Sequence, residues 1–502
     1  MANGKVIIIG AGIAGLSAGC YLQMNGYDTE IFELHTKPGG LCTWWKRKDY
    51  TIDGCIHWWV GSRPSVNYYQ FWNELIDMKK MEVIDFDAYC SLEDENGKRL
   101  TLFSDINKLE QEMKKVAPED NKAIDDFIGE AKKFLDFEMP IGKAPEVMNF
   151  FDKITIMLKM LPKMRSLKKW GSLTNGDYAD KFKNPLNRKI FTTAFPPSYP
   201  LLIILLNLQA FHKKGAGYPI GGSKKLVDMI EKKYSDTGGR IHNSSKVTRI
   251  IVKNGAACGI ELENGETYDT DIVISAADGH YTIFEMLEGK YKDENVMRLY
   301  YDKDFEPKTS TVFISLGVSR TFENEYHMPW LFFPLEKPLM IDDKTQLNEL
   351  PVTIHNFDPT AAEKGKTVLT LMLESRNPEY WINLRNNDKD MYGQEKERIA
   401  KEVIQCLEKR FGNIESNVEV CDVATPATYV RYTNNWKGSV MGWQNPEAIR
   451  KKPKKEIKGL RNFYMCGQWA DNGGLPSALT SGRDVTQIIC KRDGKKFKTS
   501  QF

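Results

Sequence analysis

Three glycines close to the N-terminus have the spacing that lets a backbone bind a pyrophosphate. They lie in the segment Gly10-Ala11-Gly12-Ile13-Ala14-Gly15. In this pattern Gly10 permits a tight turn, Gly12 lets a pyrophosphate approach the backbone, and Gly15 lets a helix pack on a strand. Glu33 follows at close to the spacing of about 20 residues at which an acid accepts hydrogen bonds from ribose hydroxyls. Together these residues predict a dinucleotide site.

The segments on either side of these glycines are the ones that such a site needs. Val6-Ile7-Ile8-Ile9 is a β-branched run typical of a buried strand, and Thr29-Glu30-Ile31-Phe32 predicts a second strand that ends at Glu33. The stretch between them predicts a helix whose free N-terminal N–H groups would face the phosphates. A lone GxGxxG is weak evidence, but this strand–helix–strand context favours a ligand site over an empty turn.

Two further glycine-rich segments lie far from the first. One is Gly217-Tyr218-Pro219-Ile220-Gly221-Gly222, and the other runs from Gly467 through Gly473-Gly474 into a predicted helix that starts at about Ser477. Neither repeats the complete GxGxxG. An enzyme that binds FAD and NADPH in separate domains would normally show two such motifs, so we expect one dinucleotide.

Read together, these segments resemble the FAD-dependent carotenoid desaturases and carotenoid isomerases, with the retinol saturases, within the flavin amine oxidase superfamily. The matching pieces occur in family order along nearly the whole chain. They are residues 10–15, Glu33, residues 39–40, 54–61 and 218–222, Val247, residues 272–277 and residues 467–483. The joint pattern is specific for the family, whereas each piece alone is not.

The resemblance implies that the cofactor is FAD. Val247 would pair its backbone with the adenine, and the paired glycines at 39 and 40 would let the chain pass close to the cofactor. The last helix would point its N-terminus at the flavin pyrimidine ring, where negative charge accumulates on reduction. The implied cofactor-binding residues are Gly10, Gly12, Ile13, Ala14, Gly15, Glu33, Gly39, Gly40, Leu41, Val247, Gly467, Gly474, Leu475, Pro476 and Ala478. Arg483 is equally a cofactor contact or a structural salt-bridge partner.

His57 is the candidate catalytic residue, because the resemblance places its loop near the flavin. It could donate a proton to a substrate carbanion, or it could be a structural histidine within a packed loop. Substrate-pocket candidates are Trp58, Trp59 and Trp469, which could wall a hydrophobic tunnel or belong to the core. Asp471 and Asn472 could reach substrate or cofactor, or could only form a turn. No metal site is predicted.

Two segments depart from the family pattern. Leu41-Cys42 follows the paired glycines where a basic or small residue is usual, and Cys55-Ile56-His57-Trp58-Trp59 is bulkier and more polar than in typical desaturases. These departures leave open whether the substrate is a carotenoid, a smaller polyene such as a retinoid, or an unsaturated acyl chain.

Composition restricts the partners and the compartment. The net charge of +3 gives no support for nucleic-acid binding. Nine cysteines lie without CxxC or metal-ligand spacing, which favours a reducing compartment, and we expect a cytoplasmic protein. No apolar run reaches the about 18 residues of a membrane span, and the segment 199–206 predicts a buried helix or a substrate wall instead.

One helical segment raises the question of peripheral membrane contact. Its apolar stripe is formed by Phe150, Ile154, Met157, Leu158 and Leu161, with lysines and Arg165 around and after it. Such a helix could lie on an anionic membrane. A helix packed on the protein is the favoured interpretation, since such stripes usually face a core.

The predicted fold is α/β: a discontinuous Rossmann-like FAD-binding domain and a mixed α+β substrate domain. The FAD-binding domain takes residues 1–85, 215–285 and 455–502, the last with a basic tail, and the substrate domain takes 86–214 and 286–454. Strands are predicted at 309–318 and 366–375, and a helix over 388–411. The resemblance implies an oxidoreductase that acts on carbon–carbon double bonds of a hydrophobic polyene by hydride transfer at flavin N5, with an unknown electron partner. An amine oxidase and a non-catalytic protein of the prenyl-protein escort type are the alternatives.

Overall fold

A computed structural model of the chain describes residues 4–138, 140–302, 305 and 310–500. Its strands and helices alternate in the first and last parts of the chain. The strands are β1 Lys5–Ile9, β2 Asp28–Phe32, β3 Trp44–Arg47, β4 Tyr50–Asp53, β5 Trp59–Val60, β6 Val83–Ile84, β7 Ala88–Glu93, β8 Arg99–Phe103, β9 Ala216–Pro219, β10 Arg240–His242, β11 Val247–Lys253, β12 Ala256–Leu262, β13 Thr267–Asp269, β14 Ile272–Ser275, β15 Ser310–Val318, β16 Trp330–Met340, β17 Gln346–Ile354, β18 Thr367–Ser375, β19 Val418–Ala424 and β20 Phe463–Met465. The α-helices are α1 Ile13–Met24, α2 Tyr68–Leu75, α3 Ile106–Val116, α4 Asn121–Phe134, α5 Phe150–Ser172, α6 Asn175–Ala179, α7 Pro185–Thr192, α8 Leu201–His212, α9 Gly222–Asp236, α10 Glu294–Tyr301, α11 Pro378–Asn387, α12 Lys389–Phe411, α13 Pro426–Thr433, α14 Pro446–Lys451 and α15 Leu475–Arg492.

A five-stranded parallel sheet organises the part of the chain that carries the glycine motifs. Its order is β10-β2-β1-β14-β20, and every neighbouring pair is parallel. The residues of β1 and β14 are almost completely buried, as expected for strands covered on both faces. The strands come from three distant stretches of sequence, so the carboxyl ends of β1, β14 and β20 meet at one edge. The predicted α/β class with a Rossmann-like, discontinuous sheet is confirmed.

A seven-stranded mixed sheet forms the second large element. Its order is β19-β15-β18-β17-β16-β7-β8, with antiparallel pairs throughout except for the parallel pair β16–β7. Its strands come from residues 88–103 and 310–424, which lie within the two segments assigned to the substrate domain. The long helix α12 packs its buried side chains, among them Ile399, Val403 and Leu407, against this sheet.

Helix α5 differs from the favoured expectation that its apolar stripe faces a core. The side chains of Phe150, Leu158 and Leu161 are 71%, 58% and 59% exposed, and Trp170 is the one fully buried residue among the described side chains of the helix. The helix is anchored at its ends, by a capping box of Asn149 with Asp152 and by Trp170. A periodic stripe reports which residues share a face, but not whether anything covers that face.

Candidate active site

A cavity of about 370 Å³ opens at the carboxyl edge of the parallel sheet. Its wall brings together the turn after β1, the acid at the end of β2, the start of β11 and the N-terminus of α15. Among the predicted residues, the wall includes Gly10, Gly12, Ile13, Ala14, Glu33, Gly39, Gly40, Leu41, His57, Trp58, Val247, Gly467, Trp469, Gly474, Leu475, Pro476 and Ala478. Segments more than four hundred residues apart in sequence thus form one site.

The glycine turn after β1 leaves room for a ligand at Gly12. Gly10 has φ +97°, a left-handed conformation that favours glycine, and its N–H donates to the carbonyl of Phe32 at 2.8 Å. At Gly12, which caps helix α1, an added Cβ would meet no protein atom nearer than 3.9 Å. The first turn of α1 therefore presents free backbone N–H groups to open space, as a pyrophosphate requires.

Glu33 is held so that its carboxylate faces the cavity. The N–H of Ala11 donates to one carboxylate oxygen at 2.6 Å and the N–H of His35 to the other at 2.8 Å. Burial raises the pKa of Glu33, while these two hydrogen bonds lower it. Each oxygen keeps a further lone pair, so the carboxylate can also accept hydrogen bonds from ribose hydroxyls.

The second glycine loop packs directly on the first. Gly39 and Gly40 have φ +125° and +59°, and the N–H of Gly39 donates to the carbonyl of Ala11 at 2.9 Å. A Cβ added at Gly40 would lie 3.2 Å from the Cα of Gly12. Glycine at both positions lets two backbone segments meet beside the place where a pyrophosphate would lie.

Helix α15 brings the far end of the chain to the same cavity. It begins after Gly474, where φ is +97° and an added Cβ would meet nothing within 4 Å. Close packing of α15 on α1 fixes its direction: the Ser17 hydroxyl donates to the carbonyl of Leu479 at 2.6 Å, and a Cβ at Gly482 would overlap the carbonyl oxygen of Ala14. The partly positive N-terminus of α15 therefore points into the cavity.

Arg483 supports this helix from behind and makes no cavity wall. Its guanidinium donates to the buried carboxylate of Glu74 at 2.9 Å and also to the carbonyl of Gly142. It lies 4.8 Å from the ring centre of Phe71. Of the two roles considered for Arg483, the structure assigns the structural salt bridge.

His57 lies on the cavity wall against aromatic rings. Its ring centre is 4.3 Å from that of Trp330 and 6.5 Å from that of Trp58. Burial lowers the pKa of His57 to about 3, with nearby His355 as a second cause. The imidazole is therefore neutral at neutral pH and can hold one N–H toward the cavity.

The two cavity tryptophans have different settings. Trp469 is fixed by a hydrogen bond from its indole N–H to the Asn435 side-chain oxygen at 3.1 Å. Trp58 also packs against aromatic rings outside the cavity wall: its ring centre lies 5.4 Å from that of Tyr89 and 6.1 Å from that of Phe211 of α8. An aromatic cluster thus connects the cavity wall with helix α8.

Four predicted residues lie outside the wall. Gly15 faces the strand, where a Cβ would overlap the carbonyl oxygen of Gly10, and Trp59 is fully buried against Trp72. Asp471 lies 3.5 Å from the ammonium of Lys452 and 3.4 Å from that of Lys455. Asn472 accepts a hydrogen bond from Lys452 at 2.8 Å. These last two side chains stabilise the loop before α15.

Several wall residues were missed from the sequence. Asp278 accepts hydrogen bonds from the N–H groups of Tyr281 at 2.7 Å and Trp436 at 2.8 Å, and burial raises its pKa to about 7. Its position directly after the strand β14 and Ala276-Ala277 was a usable signal, because ligands bind at the carboxyl ends of parallel strands. Residues 432–435 and Met441 also line the cavity, and no motif marks them. Within the described ranges, no group of metal-ligating side chains was found.

The residues present fit FAD by their shape and chemistry. Two helix N-termini, a carboxylate with free lone pairs, and two glycines beside open space, Gly12 and Gly474, line one cavity. One helix N-terminus suits the pyrophosphate and the other suits the flavin pyrimidine, which gains negative charge on reduction.

Comparison with known proteins finds relatives along nearly the whole chain. Residues 8–75 match the model of the NAD(P)-binding Rossmann-like domain. A 4,4'-diapophytoene desaturase (4,4'-diapolycopene-forming) from Methylomonas sp is 24% identical over 99% of this chain and 98% of its own length. The chloroplastic prolycopene isomerase of Daucus carota is 26% identical over 85% of this chain and 70% of its own. The chain is related to the carotenoid desaturases and isomerases.

Solved structures agree with this assignment at the level of the fold. An oxidoreductase from Methanosarcina mazei has a TM-score of 0.59 at 18% identity and covers 96% of this chain and 100% of its own. A redesigned putrescine oxidase triple mutant has a TM-score of 0.62 at 12% identity, covering 98% and 99%. This relative of the carotenoid desaturases is an FAD-dependent oxidoreductase. Among the helices that the structure describes, none is long and apolar enough to cross a membrane.

Proposed function

We propose that the protein transfers hydride to or from a carbon–carbon double bond of a hydrophobic polyene lipid. The observation that carries the proposal is the position of His57 and Trp58 on the wall that also receives the N-terminus of α15. An uncharged aromatic surface there suits a long apolar chain better than a charged one. The full-length relatives named as desaturases and an isomerase support the same class of substrate.

When bound, FAD supplies hydride transfer at flavin N5. The chain's own residues have three tasks. The first turn of α15 stabilises negative charge on the pyrimidine end of the site. The ring of Trp58 excludes water and holds an apolar chain, while Trp330 packs against His57. The neutral imidazole of His57 orients an N–H toward the reacting region as a hydrogen-bond donor, because at a pKa of about 3 it carries no extra proton to give.

We also propose that the protein takes its substrate from a membrane surface through helix α5. Its exposed side is formed by apolar residues, and basic residues border it. The exposed apolar residues are Phe150, Phe151, Met157, Leu158, Leu161 and Met164; Ile203 is also exposed, on helix α8, which contacts α5. Such a face suits the boundary between headgroups and acyl chains of an anionic bilayer.

The aromatic cluster behind Trp58 supports this route. Phe211 and Ile203 belong to the same helix, α8, which contacts α5. Phe211 packs on Trp58 and Tyr89, and Tyr89 stacks on Phe195 with ring centres 4.7 Å apart. Helix α8 therefore carries both an exposed apolar residue and a member of the aromatic cluster behind Trp58, and we propose that a polyene passes along it to the cavity.

The test combines ligand identification with turnover. Lipid extracted from the purified, yellow holoprotein is identified by mass spectrometry, and the protein is then incubated with linear polyenes. A product lighter by two hydrogens indicates desaturation, one heavier by two hydrogens indicates saturation, and an unchanged mass with a shifted absorbance spectrum indicates isomerisation. The first two outcomes support the hydride transfer, and the third supports the polyene substrate without a net transfer of hydride.

Two outcomes contradict the proposal. A colourless protein that cannot be reconstituted with FAD supports the escort-type alternative. A flavoprotein that leaves all polyenes unchanged but is reduced by primary or secondary amines supports an amine oxidase. Absorbance of the flavin under anaerobic conditions distinguishes these two results.

A further inference from the structure

Two cysteines on the cavity wall have no role in the cofactor site described so far. Cys42 and Cys55 both line the cavity, and the other cysteines of the chain do not contribute to its described wall. Cys42 is buried and Cys55 is half-buried. They belong to the two segments in which the sequence departs from the desaturase pattern.

The register of the β3–β4 hairpin brings these cysteines face to face. The two strands pair without a shift, and one step beyond the last pair the N–H of Gly54 still donates to the carbonyl of Thr43 at 2.9 Å. The next step along the same register, just beyond the paired strands, would place Cys42 opposite Cys55. Hydrogen-bonded and non-hydrogen-bonded pairs alternate in such a ladder, so this would be a non-hydrogen-bonded position, where Cα atoms are typically about 4.5 Å apart. Disulfides span Cα separations of about 4.4–6.8 Å.

Side-chain contacts agree with the register. The thiol of Cys42 lies close enough to that of Cys55 that, together with burial, it raises the pKa of Cys55 well above its usual range. Both sulfurs are thus neighbours within one wall and are present as free thiols.

We propose that Cys42 and Cys55 are a redox-active pair that forms a reversible disulfide on the wall of the FAD cavity. In the forward step the two S–H bonds break and one S–S bond forms. The two electrons and two protons pass to a two-electron acceptor, which is the oxidised flavin in the holoprotein and an added disulfide or diazene in the apoprotein. The inference rests on the FAD cofactor and needs no assumption about the polyene reaction.

Such a pair would give the site a second store of electrons. A disulfide here would tie the loop of Gly39 and Gly40, beside the proposed pyrophosphate position, to the loop of His57. Flavin and pair together would hold about four electrons, two on each carrier. The unknown electron partner of the enzyme would then exchange two electrons with the flavin and two with the cysteine pair.

The experiment is an anaerobic titration of oxygen-reoxidised holoprotein with dithionite, followed by flavin absorbance. Wild type is expected to consume about four electrons per flavin, and the C42S and C55S variants about two. Cys406→Ser, on the distant helix α12, is the matched control and keeps the wild-type value. Peptide mapping of the reoxidised wild type should recover a peptide pair joined through Cys42 and Cys55.

Peptide mapping of the wild-type protein needs no variant, so it tests the inference even if a variant loses FAD or fails to fold. If wild-type protein consumes two electrons and both cysteines are fully alkylated after reoxidation, the inference is wrong. Diamide treatment of the apoprotein gives a second measurement: the joined peptide must form there as well. A linked pair without polyene turnover would leave this inference standing while the proposed substrate fails.

Discussion

The region around the cofactor cavity buries its apolar residues, whereas helix α5 exposes the same kinds of residue to solvent. Around the cavity, apolar strands are covered on both faces, and Arg483 of the last helix is paired with Glu74. On α5, phenylalanines and leucines lie in solvent, and most of the basic residues have no acidic partner on their own helix. The cavity can select its ligand through backbone geometry, whereas helix α5 can bind only through an apolar surface.

This difference explains which part of the molecule depends on exact residues. A glycine at the cavity is required because a backbone or a ligand occupies the space of its side chain. A leucine on α5 needs only to be apolar. We therefore expect substitutions near the cavity to act on folding or on FAD, and substitutions on α5 to act on membrane contact alone.

The largest effect is expected for the buried ion pair behind α15. Arg483→Met leaves the carboxylate of Glu74 buried with one hydrogen bond, from Tyr21 at 2.7 Å, and should lower the free energy of unfolding by about 3–5 kcal/mol. Lys168→Met on the exposed face of α5 is the control, and should change it by less than about 0.5 kcal/mol. Urea denaturation of the apoproteins measures both. Equal effects at the two sites would remove the distinction between the regions.

Two glycines of the first motif should respond to alanine in different ways. Gly15→Ala places a Cβ on the carbonyl oxygen of Gly10 and should cost about 3 kcal/mol of stability. Gly12→Ala meets no protein atom nearer than 3.9 Å, so the protein should fold normally. Its methyl group enters the space of the pyrophosphate and should weaken FAD binding by about 10- to 100-fold.

Thermal unfolding of the apoprotein and fluorescence titration with FAD separate these two results. Normal FAD affinity in a folded Gly12→Ala protein would show that the pyrophosphate does not bind at this turn.

The same contrast explains how much could be predicted from the sequence. The spacing of Gly10, Gly12 and Glu33 depends on local backbone geometry, and the structure places all three on one cavity wall; that they bind the cofactor stays a prediction. The predicted strands at 309–318 and 366–375 and the helix at 388–411 lie within a residue or so of β15, β18 and α12. Asp278 was missed although it follows β14 closely, because no residue motif marks a buried acid that accepts backbone N–H groups. The exposure of α5 was missed because periodicity does not say what covers a face.

Helix α5 provides the next prediction. Leu161→Ser removes an exposed apolar side chain and should weaken binding to anionic vesicles by about 10-fold, without change in thermal stability. Met391→Ser on α12, where the methionine is 42% exposed, is the control and should bind as wild type does. Co-sedimentation at low and high salt measures the effect. No binding of wild type at either salt concentration would refute membrane contact.

At neutral pH the smallest effect is expected for His57, whose substitution changes stability only in acid. Its pKa is about 3 in the folded protein and about 6.5 in the unfolded chain, so the folded state binds fewer protons between these values. Stability should therefore be lost as pH falls below about 6.5, by up to about 1.4 kcal/mol per pH unit from this one group. His57→Gln removes that contribution, so its apoprotein should lose less stability than wild type between pH 6.5 and 4, while the two curves run parallel above pH 7.5. Urea denaturation across this range measures the difference. Curves that stay parallel down to pH 4 would mean that water reaches the imidazole. That result would contradict the dry aromatic wall on which the proposed polyene site depends.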